Sequence, residues 1–206
     1  MVATAGAGVG GTPKTLFCNA DQVCPRCWGR KLEPGARKTV CTYCTGNGVI
    51  EDRELAPNFF LSELVRSEGA ARRGIPNNPS EAQIENLRKT ATALSLIRSQ
   101  VGPIRVNSGL RLPAVNVAIG GSETSAHMDG NAADWVPADS QWTLRGAAKA
   151  VVGLMDNGDL HVDQFIYEGT WLHIGIVGAR GKVRGQKLMM FGGKYFPLDL
   201  NDPRVV

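Results

Sequence analysis

Apolar residues recur at Ile84, Leu87, Ala91, Leu94 and Ile97, with Val101 beyond, and mostly polar residues fill the gaps. That spacing predicts one long helix with a single buried face. SEAQ marks its start, with Ser80 as N-cap and Gln83 reaching back to form a capping box. A second helical pattern, QWTLRGAAKAVVGLMD over 141–156, follows Asp139 and Ser140, either of which supplies a capping oxygen, and stops at Asn157-Gly158. NFFLSELV predicts an apolar entry and a short helix, and GIPNNPS a loop. IRVNSG predicts a strand that leaves Arg111 at its end, PAVNVAIGG a short helix or turn, and AADWV a further strand. DQFIYE and WLHIGI predict two strands joined by Gly169-Thr170, and Gly in the first position of so short a turn suits type II′. KVRGQKLMMF predicts another hairpin, and KYFPLDLNDPRVV a tail laid over the surface. These elements describe an α+β fold, a small antiparallel sheet with two main helices packed on one side.

Composition shifts divide the chain into a Gly/Ala-rich arm (1–16), a cysteine-bearing segment (17–50), the main domain (51–196) and a C-terminal tail (197–206). At 206 residues, 43% hydrophobic and 20% charged, the chain has room for one ordinary domain and a small appendage. A formal net charge of +4 is compatible with an anionic partner and requires none. No apolar run approaches the roughly 18 residues of a membrane span. The start, MVATAGAGVGGTPK, lacks the basic region and apolar core of a signal peptide.

Cys24/Cys27 and Cys41/Cys44 form two Cys-x-x-Cys pairs separated by thirteen residues. Four thiolates on two such knuckles suit a closed tetrahedral zinc site, a zinc ribbon. An iron–sulfur cluster or a redox pair uses the same ligands. CTYCTGNG resembles half of the DnaJ-type Cys-x-x-Cys-x-Gly-x-Gly repeat. Cys18 is left over and reads as a small buried hydrophobe. Arg26, Arg30, Lys31, Arg37 and Lys38, with Trp28, read as a solvated face rather than a nucleic-acid surface.

The candidate chemistry lies in SAHMDGNAAD and TWLHIGI. An imidazole from His127 and a carboxylate from Asp134 suit zinc, and Gly130 lets the chain turn between them. A catalytic zinc needs a third protein ligand and an open position. His173 is the best candidate for it. His161 reads as a surface loop residue, or as a proton donor at the edge of a cleft. Trp135 and Trp171 read as packing residues beside the ligands.

These motifs, with Ser108, Gly109, Arg111 and Asn116 in NSGLRLPAVN, resemble those of the zinc D-Ala-D-Ala carboxypeptidases and the phage L-alanyl-D-glutamate endolysins. The resemblance spans about 58–177. It implies His127, Asp134 and His173 as zinc ligands, and Arg111 and Ser125 as substrate-binding residues. It also implies Arg111 as a catalytic residue that steadies a carboxylate or a developing oxyanion. That family often places its general base three residues before the last histidine, and Thr170, which stands there, cannot serve. Strand parity supplies a substitute. With Gly169-Thr170 as the turn, Ile166 faces His173 and Glu168 faces Trp171, so Glu168 shares the His173 face as a diagonal neighbour. Asp163 has the opposite parity.

The resemblance implies zinc-dependent hydrolysis of a peptide bond in peptidoglycan stem peptides, with two zinc ions, one catalytic and one structural. Without a signal peptide, such an enzyme is expected to be made in a host cytoplasm and to reach the wall through a pore or on a particle. Virion or tail proteins are then the expected partners of the arm and ribbon. The alternative is a structural component of a phage tail whose peptidase domain is secondary or inactive.

Overall fold

The computed structural model describes residues 15–17, 49–178 and 181–206. The cysteine pairs and most of the Gly/Ala-rich arm lie outside these residues, and so does the expected ribbon. At the boundary, β1 (Thr15–Phe17) pairs antiparallel with β2 (Val49–Glu51), Thr15 opposite Glu51.

The main domain opens with a small ribbon, β3 (Glu54–Ala56) and β4 (Phe59–Phe60), then short helices α1 (Leu61–Val65) and α2 (Glu68–Arg73). The long helix α3 spans Glu81–Val101, with Ser80 and Gln83 forming the expected capping box. Next come β5 (Ile104–Ser108), α4 (Pro113–Ala118), a 3-10 turn over Ala126–Asp129, and β6 (Ala132–Pro137). Helix α5 (Leu144–Asp156), β7 (Gln164–Tyr167), β8 (Leu172–Gly175), β9 (Gln186–Phe191) and β10 (Lys194–Pro197) complete the chain.

Six strands form one sheet in the order β10-β9-β7-β8-β6-β5. It is larger than expected and mixed, because β7 and β9 run parallel. The cause is positional. β8 is already flanked by β6 and β7, so the chain leaving β8 cannot pair beside it. It returns to the start of β7 and runs alongside, Gln164 beside Gln186. The expected hairpin within KVRGQKLMMF is therefore absent. β9 turns instead at Gly192-Gly193, both at positive φ (57° and 74°), and pairs with β10, Phe191 opposite Lys194. Two consecutive positive φ angles are what a two-residue hairpin turn of type I′ requires.

One face of the sheet is the core. Trp135, Phe165, Tyr167, Leu172 and Ile174 are fully buried there, in one cluster with Leu87, Ala91 and Leu94 of α3 and Ala147, Ala148 and Val151 of α5. Each large apolar side chain so buried contributes about 1.5–3 kcal/mol. α5 begins later than Asp139 or Ser140 predicts. The Thr143 hydroxyl accepts from the Gly146 N–H (3.0 Å), while Asp139 accepts from Gln141 N–H (2.9 Å) and caps only the turn before it. The tail crosses the outside, as expected, and is anchored just before its last residue. Val205 is buried, and the Tyr167 hydroxyl both donates to Val206 O and accepts from Val206 N, each at 3.0 Å. No helix among the described residues is long and apolar enough to cross a membrane.

Candidate metal centre

The other face of the sheet carries the chemistry. Asp134 on β6 stands directly opposite His173 on β8, and His173 stands opposite Ile166 on β7, as the hairpin parity predicts. Gly169, at φ 79°, is the centre of a γ-turn in which Thr170 N–H donates to Glu168 O (2.9 Å). Residues 168–171 join the strands in place of the expected two-residue type II′ turn, and the Glu168 N–H donates to Trp171 O (3.0 Å), which keeps the expected register. His127 enters from the 3-10 turn before β6. Gly130 ends that turn at φ 76°, and a side chain there would meet Gln83 O at 2.9 Å and Leu87 Cγ at 3.0 Å, so glycine is needed twice over.

His127 Nε2 lies 3.2 Å from Asp134 Oδ1 and 3.3 Å from His173 Nδ1, and His173 Nδ1 lies 2.7 Å from the same Asp134 oxygen. His127 Nδ1–H donates to the carbonyl of Gly109 at 2.7 Å. This bond fixes the tautomer and leaves the Nε2 lone pair facing a carboxylate. Two electron-rich atoms meet at hydrogen-bond distance with no proton for that contact, and a cation resolves it. Zinc fits: the set offers two imidazole nitrogens and one carboxylate oxygen, with the ligand atoms all within 4.8 Å of one another.

The electrostatics agree. Burial alone would raise the Asp134 carboxyl, but the two imidazoles beside it outweigh this and hold it far below the usual carboxylate range. Burial keeps His127 below its ordinary value, against the pull of Asp134. A neutral imidazole and an ionised carboxylate are the ligand forms zinc takes.

The Gly109 carbonyl is a contribution that no search for ligand residues would find. A Cβ at Gly109 would lie 2.2 Å from Leu64 O, so only glycine allows this approach. Arg111, two residues on, has its backbone N–H bonded to His127 O (3.0 Å). Its guanidinium spans Asp134 Oδ2 (Nη1, 3.5 Å) and Ser125 Oγ (Nη2, 3.4 Å). Burial lowers its pKa and Asp134 and Glu168 oppose that, but an arginine stays protonated. Asn116 serves the scaffold: its buried amide donates to Ser122 O (2.7 Å) and holds the loop that leads to Ser125.

Arg111, Ser125, His127, Asp134, Glu168 and His173 all line one open cavity of about 1010 Å³. Burial raises the Glu168 carboxyl, with His173 pulling it down and the Asp134 charge adding to the rise. Trp171 lines the cavity beside it, and its indole N–H, turned toward the Glu168 carboxylate, also pulls that value down. Asp163 also reaches the cavity wall, but it is bound by the backbone N–H (3.0 Å), Nε (2.7 Å) and Nη2 of Arg184. His161 is exposed and does not line the cavity. Tyr195 does line it, from β10. The expectation of a surface tail over KYFPLDLNDPRVV is corrected here, since Gly192-Gly193 turns β10 back onto β9.

A family model described as Peptidase M15 matches residues 57–167, more than half of the 206-residue chain. The chain belongs to the peptidase M15 family. This is the zinc peptidase family of D-Ala-D-Ala carboxypeptidase and endolysin type whose motifs it carries, and zinc is the metal expected at its His/Asp/His group. The match covers His127 and Asp134 of this M15 peptidase and ends before Glu168 and His173, which geometry alone brings to the site. The chain is also similar to the DnaJ homolog dnj-10 of Caenorhabditis elegans, 34% identical over 62 residues. That stretch is 30% of this chain and 14% of the DnaJ homolog, so the likeness covers a small part of that protein.

Proposed function

We propose that this M15 peptidase hydrolyses a peptide bond in the stem peptide of peptidoglycan, with His127, Asp134 and His173 as the zinc ligands and Glu168 as the general base. The observation that carries this reading is the convergence of the three ligand atoms on the floor of a cavity that also holds Arg111 and Glu168. Zinc, when bound, polarises a peptide carbonyl and lowers the pKa of water. Glu168, raised by burial, accepts a proton from the attacking water and returns it to the leaving amine. Arg111 supplies a rigid, permanently charged fork to a substrate carboxylate or to the developing oxyanion. A D,D-carboxypeptidase and an L,D-endopeptidase differ in whether a free carboxylate follows the scissile bond, and Arg111 suits either. Incubating zinc-loaded protein with purified muropeptides and identifying the products by mass spectrometry tests the reading, and intact fragments would refute it.

Arg111→Lys keeps the charge and loses the fork. Zinc content is expected to stay at the parent level while kcat/KM falls about tenfold to a hundredfold, the worth of a charged hydrogen bond. Turnover equal to the parent would make Arg111 a scaffold residue only.

The two Cys-x-x-Cys pairs support a second, structural zinc held by Cys24, Cys27, Cys41 and Cys44. Elemental analysis of the purified chain is expected to give two zinc ions per molecule, and Cys24→Ser with Cys41→Ser to give one. Iron in place of zinc would reassign the cysteines to a cluster. The Gly/Ala-rich arm and the cysteine segment favour a particle-borne enzyme whose appendage contacts virion proteins. Co-sedimentation of the chain with particles, rather than as a free species, is the corresponding measurement.

A further inference from the structure

The β9–β10 hairpin lies beyond the residues matched by the family model, and it turns one large side chain back toward the cleft. Tyr195 is 61% exposed, yet it lines the same cavity as Glu168, Trp171 and His173. The register explains this. β9 runs parallel to β7 with Ile166 beside Leu188, which puts Glu168, two residues on, beside Met190. Met190 is paired with Tyr195 on β10. Alternate residues share a face, so Glu168, Met190 and Tyr195 form a row on the face that carries His173. With strands about 4.8 Å apart, the Tyr195 backbone stands about 10 Å from that of Glu168, a gap the tyrosine ring largely spans.

We propose that Tyr195 is a substrate-binding residue whose phenol O–H donates a hydrogen bond to a backbone carbonyl oxygen of the peptide in the cleft, while its ring covers the flank of that peptide. The assignment rests on the peptidase reading above. Three observations carry it. The side chain lines the cavity. Its hydroxyl has no hydrogen-bond partner among the described residues, so its donor is available to a ligand. Glu168 and Asp134 already supply acceptors on this face, and burial, reinforced by their charges, raises the Tyr195 phenol, so it stays protonated and donates. Extended peptides present carbonyl oxygens that need donors, and tyrosine adds an apolar ring beside its polar tip.

The test compares steady-state kinetics of the zinc-loaded full chain with those of Tyr195→Phe and Tyr195→Ala on purified muropeptides. Tyr195→Phe is expected to raise KM about five- to tenfold with kcat within about twofold, the effect of losing one hydrogen bond made equally in the ground and transition states. Tyr195→Ala is expected to raise KM further, because the ring is lost as well. Zinc content and melting temperature should match the parent in both. KM within twofold of the parent for Tyr195→Phe overturns the hydrogen bond. A fall in kcat at constant KM overturns ground-state binding in favour of a transition-state role. A parent that cleaves no fragment overturns the peptidase reading and this assignment with it, whereas a cleaving parent with indifferent variants overturns Tyr195 alone.

Discussion

Asp134→Asn is expected to strip zinc from the centre and to abolish turnover. Asp134 Oδ1 is the atom both histidines share, at 3.2 Å from His127 Nε2 and 2.7 Å from His173 Nδ1. An amide at this position is nearly isosteric, but it removes the one negative charge among the three ligands. Losing an outer partner of a metal ligand already costs ten- to a hundredfold in affinity as a rule, and losing a ligand costs more than about a hundredfold. The fold should survive, because Asp134 faces the cleft while Trp135, its neighbour, fills the core. Zinc content after dialysis and muropeptide turnover are the measurements. Retention of both at the parent level would remove Asp134 from the ligand set. The metal-free chain has a pH signature of its own. A carboxyl held below its unfolded value contributes stability above about pH 4, the ordinary range for aspartate, and loses it as the pH falls. Acid should therefore destabilise metal-free parent more than metal-free Asp134→Asn.

Glu168→Gln carries the second largest expected effect. Its carboxylate lines the cavity on the His173 face, in a position from which Thr170 has nothing to offer. The amide cannot accept the proton of the attacking water, so kcat is expected to fall by about 10²–10⁴, the usual worth of general acid–base catalysis. Zinc content should stay unchanged, since Glu168 is outside the ligand group. Asp163→Asn is the control. Asp163 is buried and occupied by three donors of Arg184, so its loss is expected to lower the melting temperature and leave the rate within about tenfold. A rate that depends on Asp163 and ignores Glu168 would reverse the assignment of the base.

What the sequence disclosed was what local geometry determines. The capping box at Ser80 and the buried stripe of α3 follow from spacing within one helix. The Ile166–His173 pairing follows from a short connection centred on Gly169-Thr170, and from it the shared face of Glu168 and His173. The parallel pairing of β9 with β7 depends on which strand edge remains open once β6 has docked on β8, and no local pattern encodes that. Tyr195 was legible in part: Gly192-Gly193 is a local hairpin signal that pairs β10 with β9, but the place of that hairpin beside the cleft follows from the distant β7–β9 pairing. The Gly109 carbonyl was hidden differently: it acts through a main-chain atom, and the only trace of its importance in the sequence is the glycine itself. The late start of α5 reflects competition between two capping oxygens four residues apart, Asp139 and Thr143, which tertiary packing decides.

The short pair β1–β2 is a chain closure as well as a piece of sheet. It joins Phe17 to Val49 and so closes a loop over residues 18–48. Closing a connection of that many residues costs at least about 3 kcal/mol in chain entropy. Three paired residues on two strands offer little against this, since an isolated two-stranded hairpin is marginal even with a tight turn. A cross-link inside the loop shortens the free chain and reduces the cost. Chelation of the zinc proposed for the two cysteine pairs should then raise hydrogen exchange at Thr15–Phe17 and Val49–Glu51, while the amides of α3 and β6 stay protected.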